Sequence, residues 1–266
     1  MSLLHSSSLS ALCLLVACGS GSPMQSDPDA MHPADATILV GSGTVSFLDD
    51  PTGTPLNEIG AAFYAHAPHC AQETISGCTY TTCDAAPAPV SAGTLTMHWP
   101  SASGDQHLDP GPDGTYTFEL TGLELWQAGD ELTVSAAGSA VPAFEAKLAF
   151  ASHFDVITDA LPQQLVRGGD LTIGAGEPGL PGDRLDPSVV SFVQGSSVLS
   201  CAFPAPSTPA SLGYIVPGAA LAKLSTSSQA TMTWVSTTTA TVDAGDYAIS
   251  VVAMHAGMSP LALDVY

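Results

Sequence analysis

Beyond residue 36, apolar and polar residues alternate with a period of two, which is the pattern of strands that bury one face. The alternation is clearest over residues 44–47, 94–99, 115–120, 132–135, 144–150, 190–192, 199–203, 232–234, 247–253 and 261–265. Turn-forming residues separate these runs, as in Asp50-Pro51-Thr52-Gly53 and the Pro/Gly-rich segment 109–114. Short strands at this spacing predict an all-β protein built as a sandwich or a barrel.

One segment departs from the alternation. Residues 217–224, PGAALAKL, begin with Pro, continue with Ala and end near a basic residue, which predicts one short helix. A seam divides the strands into two series, because Pro162 and then Arg167-Gly168-Gly169-Asp170 interrupt the pattern. We therefore predict two tandem β-sandwich domains, at residues 37–158 and 159–266.

The N-terminus has the features of an export signal followed by a lipid-attachment site. Leu9 to Ala17 is apolar but too short for a membrane-spanning helix, which needs about 20 residues. Leu15-Val16-Ala17-Cys18 resembles the lipobox of bacterial lipoproteins. The resemblance implies that residues 1–17 are removed and that Cys18 carries lipid; an ordinary secretory signal is the alternative. Gly19, standing where Asp would favour retention at the inner membrane, implies the outer membrane.

Charge is distributed very unevenly along the chain. There are 25 acidic and 4 basic residues, and sixteen of the acidic residues precede Lys147, the first basic one. Residues 18–36 are rich in Gly, Ser, Pro and Asp, which predicts a flexible acidic tether. Nucleic acid is excluded as a partner, because its binding depends on Lys and Arg that neutralise phosphates. The composition is typical of an extracytoplasmic β protein.

Several short motifs resemble those of a group of uncharacterised bacterial lipoproteins. They are CTYTTC at 78–83, SAGTLTM at 91–97, VPAF at 141–144, DLTI at 170–173, SCAF at 200–203, VPGAALAKL at 216–224 and AGDYAISV at 244–251. The resemblance implies two immunoglobulin-like domains behind a lipobox. The resemblance bears on the fold and the location only, and no activity is carried over from it.

Four cysteines remain after Cys13 is removed with the signal and Cys18 is lipidated. In an oxidising compartment a disulfide is the default for Cys70, Cys78 and Cys83, which are clustered. We expect a bridge from Cys70 to either Cys78 or Cys83. Cys201 lies on the apolar side of its strand, so we expect a buried, unpaired thiol. The alternative is two bridges, one of which reaches Cys201.

Two groups of residues raise the question of a metal. His66 and His69 lie near the three clustered cysteines, but the spacing of these five residues matches no zinc motif. Asp105, Asp109 and Asp113 offer carboxylates for calcium, yet Asp is also common in turns. We assign no metal and no cofactor.

Catalytic motifs are absent from the sequence, including the serine elbow, the zinc-protease motif and the phosphate-binding loop. Trp99 and Trp234 share the parity of core residues, so we expect them to be buried.

We assign no catalytic residue and predict a lipid-anchored binding or structural module. Its partners would be the membrane, through the lipid on Cys18, and an envelope protein or glycan. The alternatives are an envelope hydrolase, whose site joins residues distant in sequence, and a metal-binding envelope module.

Overall fold

The structure is a computed structural model that describes residues 41–49, 56–100, 104–121, 130–150, 164–175, 187–204, 212–256 and 260–266. Its described residues are almost all strand, with one short helix, which confirms the all-β class. The predicted signal peptide, Cys18 and the tether lie outside these ranges. In the described part of the chain, no helix has the length and hydropathy needed to cross a bilayer.

An eleven-stranded sheet runs through the described part of the chain. Nine of its strands follow one path, in the order β3 (Cys70–Ile75), β4 (Cys78–Cys83), β13 (Ser197–Phe203), β12 (Ser188–Gln194), β15 (Ala230–Ala244), β16 (Tyr247–Ala256), β1 (Gly41–Asp49), β2 (Leu56–Tyr64) and β7 (Tyr116–Thr121). Two further strands branch from β15, which pairs with β17 (Leu261–Val265) and through it with β10 (Gln164–Leu165). The β1–β16 and β10–β17 pairs are parallel, and the others in this sheet are antiparallel.

Two smaller sheets lie over the large one. The four-stranded sheet has the order β6 (Gln106–Leu108), β5 (Leu95–His98), β8 (Glu131–Ala136) and β9 (Phe144–Ala149). The two-stranded sheet pairs β11 (Leu171–Ala175) with β14 (Leu212–Val216). The alternation predicted for β8 and β9 is confirmed, because each strand buries every second residue. These buried residues form the apolar face of the four-stranded sheet.

Two main hydrophobic cores lie between these layers. Core 1 packs the four-stranded sheet against β2, β1 and β16, and it includes Trp99 and Phe47. Core 2 packs β12, β13 and the first part of β15 against β11, β14, β17 and the short helix, and it includes Trp234. Both Trp99 and Trp234 are buried, as their strand parity predicts.

Strands from the two predicted domains share the large sheet. Strand β1 pairs with β16, and β4 pairs with β13, so two strand pairings join the two sequence halves in the described structure. Each core contains residues from both predicted domains. Ile249 and Val251 from the second half contribute to core 1, and Cys78 from the first half contributes to core 2. The predicted boundary near residue 158 falls outside the described residues. The division into two immunoglobulin-like domains stays a prediction.

The short helix α1 (Gly218–Leu221) lies inside the segment predicted for it. Residues of the Arg167–Asp170 loop form hydrogen bonds with both ends of this helix. Asp170 Oδ1 accepts a hydrogen bond from the Gly218 backbone N–H at 2.7 Å. At the other end, Arg167 donates from Nε and Nη2 to the carbonyl of Ala222, at 3.2 and 2.6 Å. These contacts satisfy backbone groups that a helix leaves unpaired at its ends.

Candidate functional site

The hairpin of β3 and β4 carries three of the four cysteines that the structure describes, and both of the disulfides that these four form pass through it. Cys70 bonds to Cys83, and Cys78 bonds to Cys201. Each bond joins residues that are directly opposed on neighbouring strands. The expected bridge within the cysteine cluster is therefore confirmed. The expectation of an unpaired Cys201 is wrong, because its strand β13 lies beside β4 and brings it opposite Cys78.

The hairpin is held on both faces of the large sheet. Cys78 and Cys83 are five residues apart on β4, so their side chains point to opposite faces. Cys78 and Cys201 are buried in core 2. The turn between the strands has Ser76 and Gly77 with φ of 50° and 85°, the backbone of a tight hairpin turn. The two disulfides therefore fix the edge of the sheet to its interior.

A thiolate metal site at the cysteine cluster is excluded by the same bonds. All four sulfurs are in disulfides, so none of them is available to a cation as a thiolate. His69 Nδ1 instead lies 3.5 Å from Asp84 Oδ2, and both side chains are exposed. Among the described residues there is no group of three or more His, Cys, Asp or Glu side chains placed to hold a metal.

The three carboxylates considered for calcium do not converge. Asp109 Oδ1 accepts a hydrogen bond from Thr94 Oγ1 at 2.6 Å. Asp113 Oδ1 accepts from both the N–H and the hydroxyl of Thr115, and these bonds lower the pKa of Asp113. Asp105 contacts His98. Each of the three aspartates therefore has its own local partner, as turn residues commonly do.

Two histidines occupy the outer face of the four-stranded sheet. His98 Nδ1 lies 3.0 Å from Asp105 Oδ1, and His107 Nδ1 lies 3.1 Å from Thr96 Oγ1. Thr96 and His107 are directly opposed on β5 and β6, which places His98 and His107 diagonally on the same face. The alternation over residues 94–99 indicates only that His98 is an outward-facing strand residue. The histidine pair is not evident from the sequence, because the register between β5 and β6 is needed to see it.

A second pair of titratable groups lies on β2 and β7. Glu58 and Glu119 are directly opposed, and like charges in such positions repel each other. Burial, together with the Glu119 charge, raises the pKa of Glu58 to about 7. Lys147, the first cation in the sequence, is not available to this pair, because it lies on β9 at 3.8 Å from Glu131. Glu58 therefore changes its charge close to neutral pH.

A row of polar residues crosses the large sheet between core 1 and core 2. Ser188 of β12 is opposed to Ser236 of β15, which is opposed to His255 of β16; Asp49 of β1 is the next residue in the row. Directly opposed side chains have Cβ atoms about 5 Å apart, so this register places a serine beside a histidine. However, Ser236 and His255 are each only 2% exposed. A nucleophilic serine must reach its substrate, and this arrangement prevents that contact.

Among known proteins, no family model matches the chain, and no curated protein matches its sequence.

Proposed function

We propose that the protein is a lipoprotein of the bacterial cell envelope, anchored to the outer membrane through lipid on Cys18. In this proposal the β-structured part is a non-catalytic binding or structural module that contacts an envelope protein or glycan. The observation that carries the proposal is the pair of cross-strand disulfides. Structural disulfides form and persist in oxidising compartments, so they support export from the cytoplasm. The lipobox-like sequence then supplies the anchor, since two or three acyl chains hold a protein on a bilayer.

Metabolic labelling with an alkyne fatty acid tests the anchor directly. The chain should be labelled when it is expressed in a Gram-negative bacterium, and Cys18→Ala should abolish the label. Cys13→Ala is the matched control, because Cys13 lies in the segment that the proposal removes. Labelling that persists in Cys18→Ala, or that never appears in the parent chain, would refute the lipid anchor. Membrane fractionation of the same strains then reports on the proposed outer-membrane location.

An envelope hydrolase is the second candidate, and the Glu58–Glu119 pair is the observation that favours it. Glycoside hydrolysis uses two carboxyl groups, about 5 Å apart in retaining enzymes, one of which is kept protonated as the acid. Directly opposed strand positions have a similar spacing, and the pKa of Glu58 is raised to about 7. Chromogenic glycosides and peptidoglycan fragments are suitable substrates. Activity that Glu58→Gln abolishes, and that Glu145→Gln at an exposed position of β9 leaves intact, would support a hydrolase. An inactive parent chain would rule it out.

A further inference from the structure

We propose that His98 and His107 form a binding site for a borderline divalent cation, with Cu²⁺ bound more tightly than Zn²⁺. Imidazole nitrogen is a good ligand for both ions, and affinities for such sites generally rise toward Cu²⁺. The site lies on the outer face of the four-stranded sheet, away from the disulfides and from the Glu58–Glu119 pair. It is independent of the function proposed above.

The two histidines are placed by the pleat and the register of one strand pair. Leu95, Met97 and Leu108 point into the protein and are buried. The alternate positions on the same strands therefore point outward, including Thr96, His98 and His107. Diagonal neighbours on adjacent antiparallel strands have Cα atoms about 7–8 Å apart, and their Cβ atoms are somewhat closer. Two long, planar side chains at such positions can converge on one ion above the sheet.

The hydrogen bonds of the two rings leave the ligating nitrogen of each ring available. An ionised carboxylate only accepts hydrogen bonds, so the contact with Asp105 places the His98 proton on Nδ1 in the neutral ring. The lone pair of His98 is then on Nε2. His107 uses its Nδ1 in the contact with Thr96. No described residue is a partner of Nε2 in either ring. Metal-binding histidines generally have this arrangement, in which the second nitrogen bonds to a carboxylate or another acceptor.

The electrostatic surroundings favour a cation. Asp105 contacts His98 directly, and Asp109 lies two residues beyond His107 on the same side of the chain. The nearest basic side chain on this face, Lys147, is two strands away from β5 and lies 3.8 Å from Glu131. The side chains of His98 and Asp105 are 58% and 55% exposed, so an ion can reach the His98 ring directly from solvent.

Two protein ligands define what kind of site this is. Structural zinc sites usually have four protein ligands, and catalytic zinc sites have three. Because the described residues supply only two here, water must complete the coordination shell. The bound ion would therefore exchange readily and would not be required for folding. This distinguishes the site from a structural metal centre, and removal of the metal should leave the protein folded.

Calorimetric titration with CuCl₂ and ZnCl₂ at pH 7.5 tests the site. The full chain is purified in detergent and stripped of metal with EDTA. We expect His98→Ala and His107→Ala each to weaken Cu²⁺ binding at least tenfold. Asp105→Ala keeps both imidazoles but removes the acceptor of the Nδ1 proton, and we expect it to weaken binding about tenfold. The control is the His66→Ala, His69→Ala double variant, which removes an exposed histidine pair elsewhere and should bind as the parent does.

A spectroscopic readout makes the assignment specific. The electron paramagnetic resonance spectrum of one equivalent of Cu²⁺ should show coupling to two nitrogens in the parent and to one in each single variant. No binding by the parent chain, or equal affinity in the His98→Ala, His107→Ala double variant, would overturn the proposal. Weakened binding in the His66/His69 control would overturn it as well. Thermal melts in EDTA should be unchanged in all variants, because the substituted side chains are exposed.

Discussion

Glu58 of β2 lies directly opposite Glu119 on the adjacent strand β7. The pKa of Glu58, about 7, lies above the ordinary value of 4.5. A raised pKa in the folded state stabilises the protein below pH 4.5, and this contribution is lost as the pH rises through 7. Glu58→Gln should therefore increase the free energy of unfolding at pH 8.5 and leave it unchanged at pH 4. Solvent screening limits the gain to about 1 kcal/mol, because the Glu58 side chain is only partly buried.

Urea unfolding of the parent and Glu58→Gln at both pH values measures this difference. Glu119→Gln is the matched comparison: it removes the repulsion but leaves Glu58 buried, so its gain at pH 8.5 should be smaller. An equal gain at pH 4 and pH 8.5 would contradict ionisation of Glu58 as the cause.

Tyr116 illustrates how one hydroxyl group stabilises a loop. Its ring is buried in core 1, its Oη donates to the Gly93 carbonyl at 2.8 Å, and the Ala92 N–H donates to it at 2.9 Å. Tyr116→Phe leaves both backbone groups without this partner, so we expect a loss of about 1–3 kcal/mol in unfolding free energy. Thermal unfolding monitored by circular dichroism measures it. Tyr266→Phe, at a 62% exposed side chain, should have almost no effect.

Single residues also show where sequence reasoning stops. The parity of Cys201 with its apolar neighbours predicts correctly that its side chain is buried. Parity identifies the face of a strand and carries no information about the neighbouring strand. It therefore leaves a bridge to Cys201 as an alternative and does not identify Cys78 as the partner. The histidine pair was missed for the same reason. In both cases the decisive fact is a register between strands, which a single sequence does not contain.

At the scale of elements, the two disulfides make unequal contributions. The Cys70–Cys83 bond spans 13 residues, whereas the Cys78–Cys201 bond spans 123. The chain-entropy model assigns about 3 kcal/mol to a short loop of this kind and nearly 5 kcal/mol to the long one. The double variant Cys78→Ala, Cys201→Ala should therefore lose more unfolding free energy than Cys70→Ala, Cys83→Ala. Guanidinium unfolding of both double variants gives the comparison, and the reverse order would contradict it.

Helix α1 depends on a close approach that only glycine allows. A Cβ atom at Gly218 would collide with the backbone of Gly168 and Gly169, which cannot rotate away as a side chain would. Gly218→Ala should therefore destabilise the protein by about 1–3 kcal/mol, the usual cost of overpacking. Ala219→Ser, at the exposed neighbouring position, is the control and should be nearly neutral. Equal melting temperatures for the two variants would show that the loop moves freely away from the helix.

The elements themselves were largely predictable because their causes are local. A period of two indicates a strand with one buried face, and β5, β8 and β9 follow it throughout. Pro followed by an Ala-rich run indicates a short helix, and α1 lies where that pattern predicts. Non-local pairings have no such signal. The parallel pairing of β1 with β16 brings together residues about 200 positions apart, and no local pattern indicates it.

At the scale of the whole molecule, β15 connects the two cores. Its first residues pair with β12 beside core 2, and its later residues pair with β16 beside core 1. The strand pattern of the sequence is interrupted after residue 158, and this seam suggests two successive domains. In the described structure, however, β1 and β4 pair with strands that follow the seam in sequence, β16 and β13. A chain interleaved in this way should unfold as one cooperative unit.

Fragment expression tests this expectation against the tandem-domain prediction. The fragment 37–158 contains β1 and β4 without their partners β16 and β13, so an edge of each would be unpaired and part of each core exposed. We expect 37–158 and 159–266 each to lack cooperative unfolding when made alone, and to form a folded complex when co-expressed. Amide exchange would then show protection in β1 and β16 only in the complex. Two fragments that each melt cooperatively on their own would instead support two tandem domains, with strand pairing across the seam as a secondary contact.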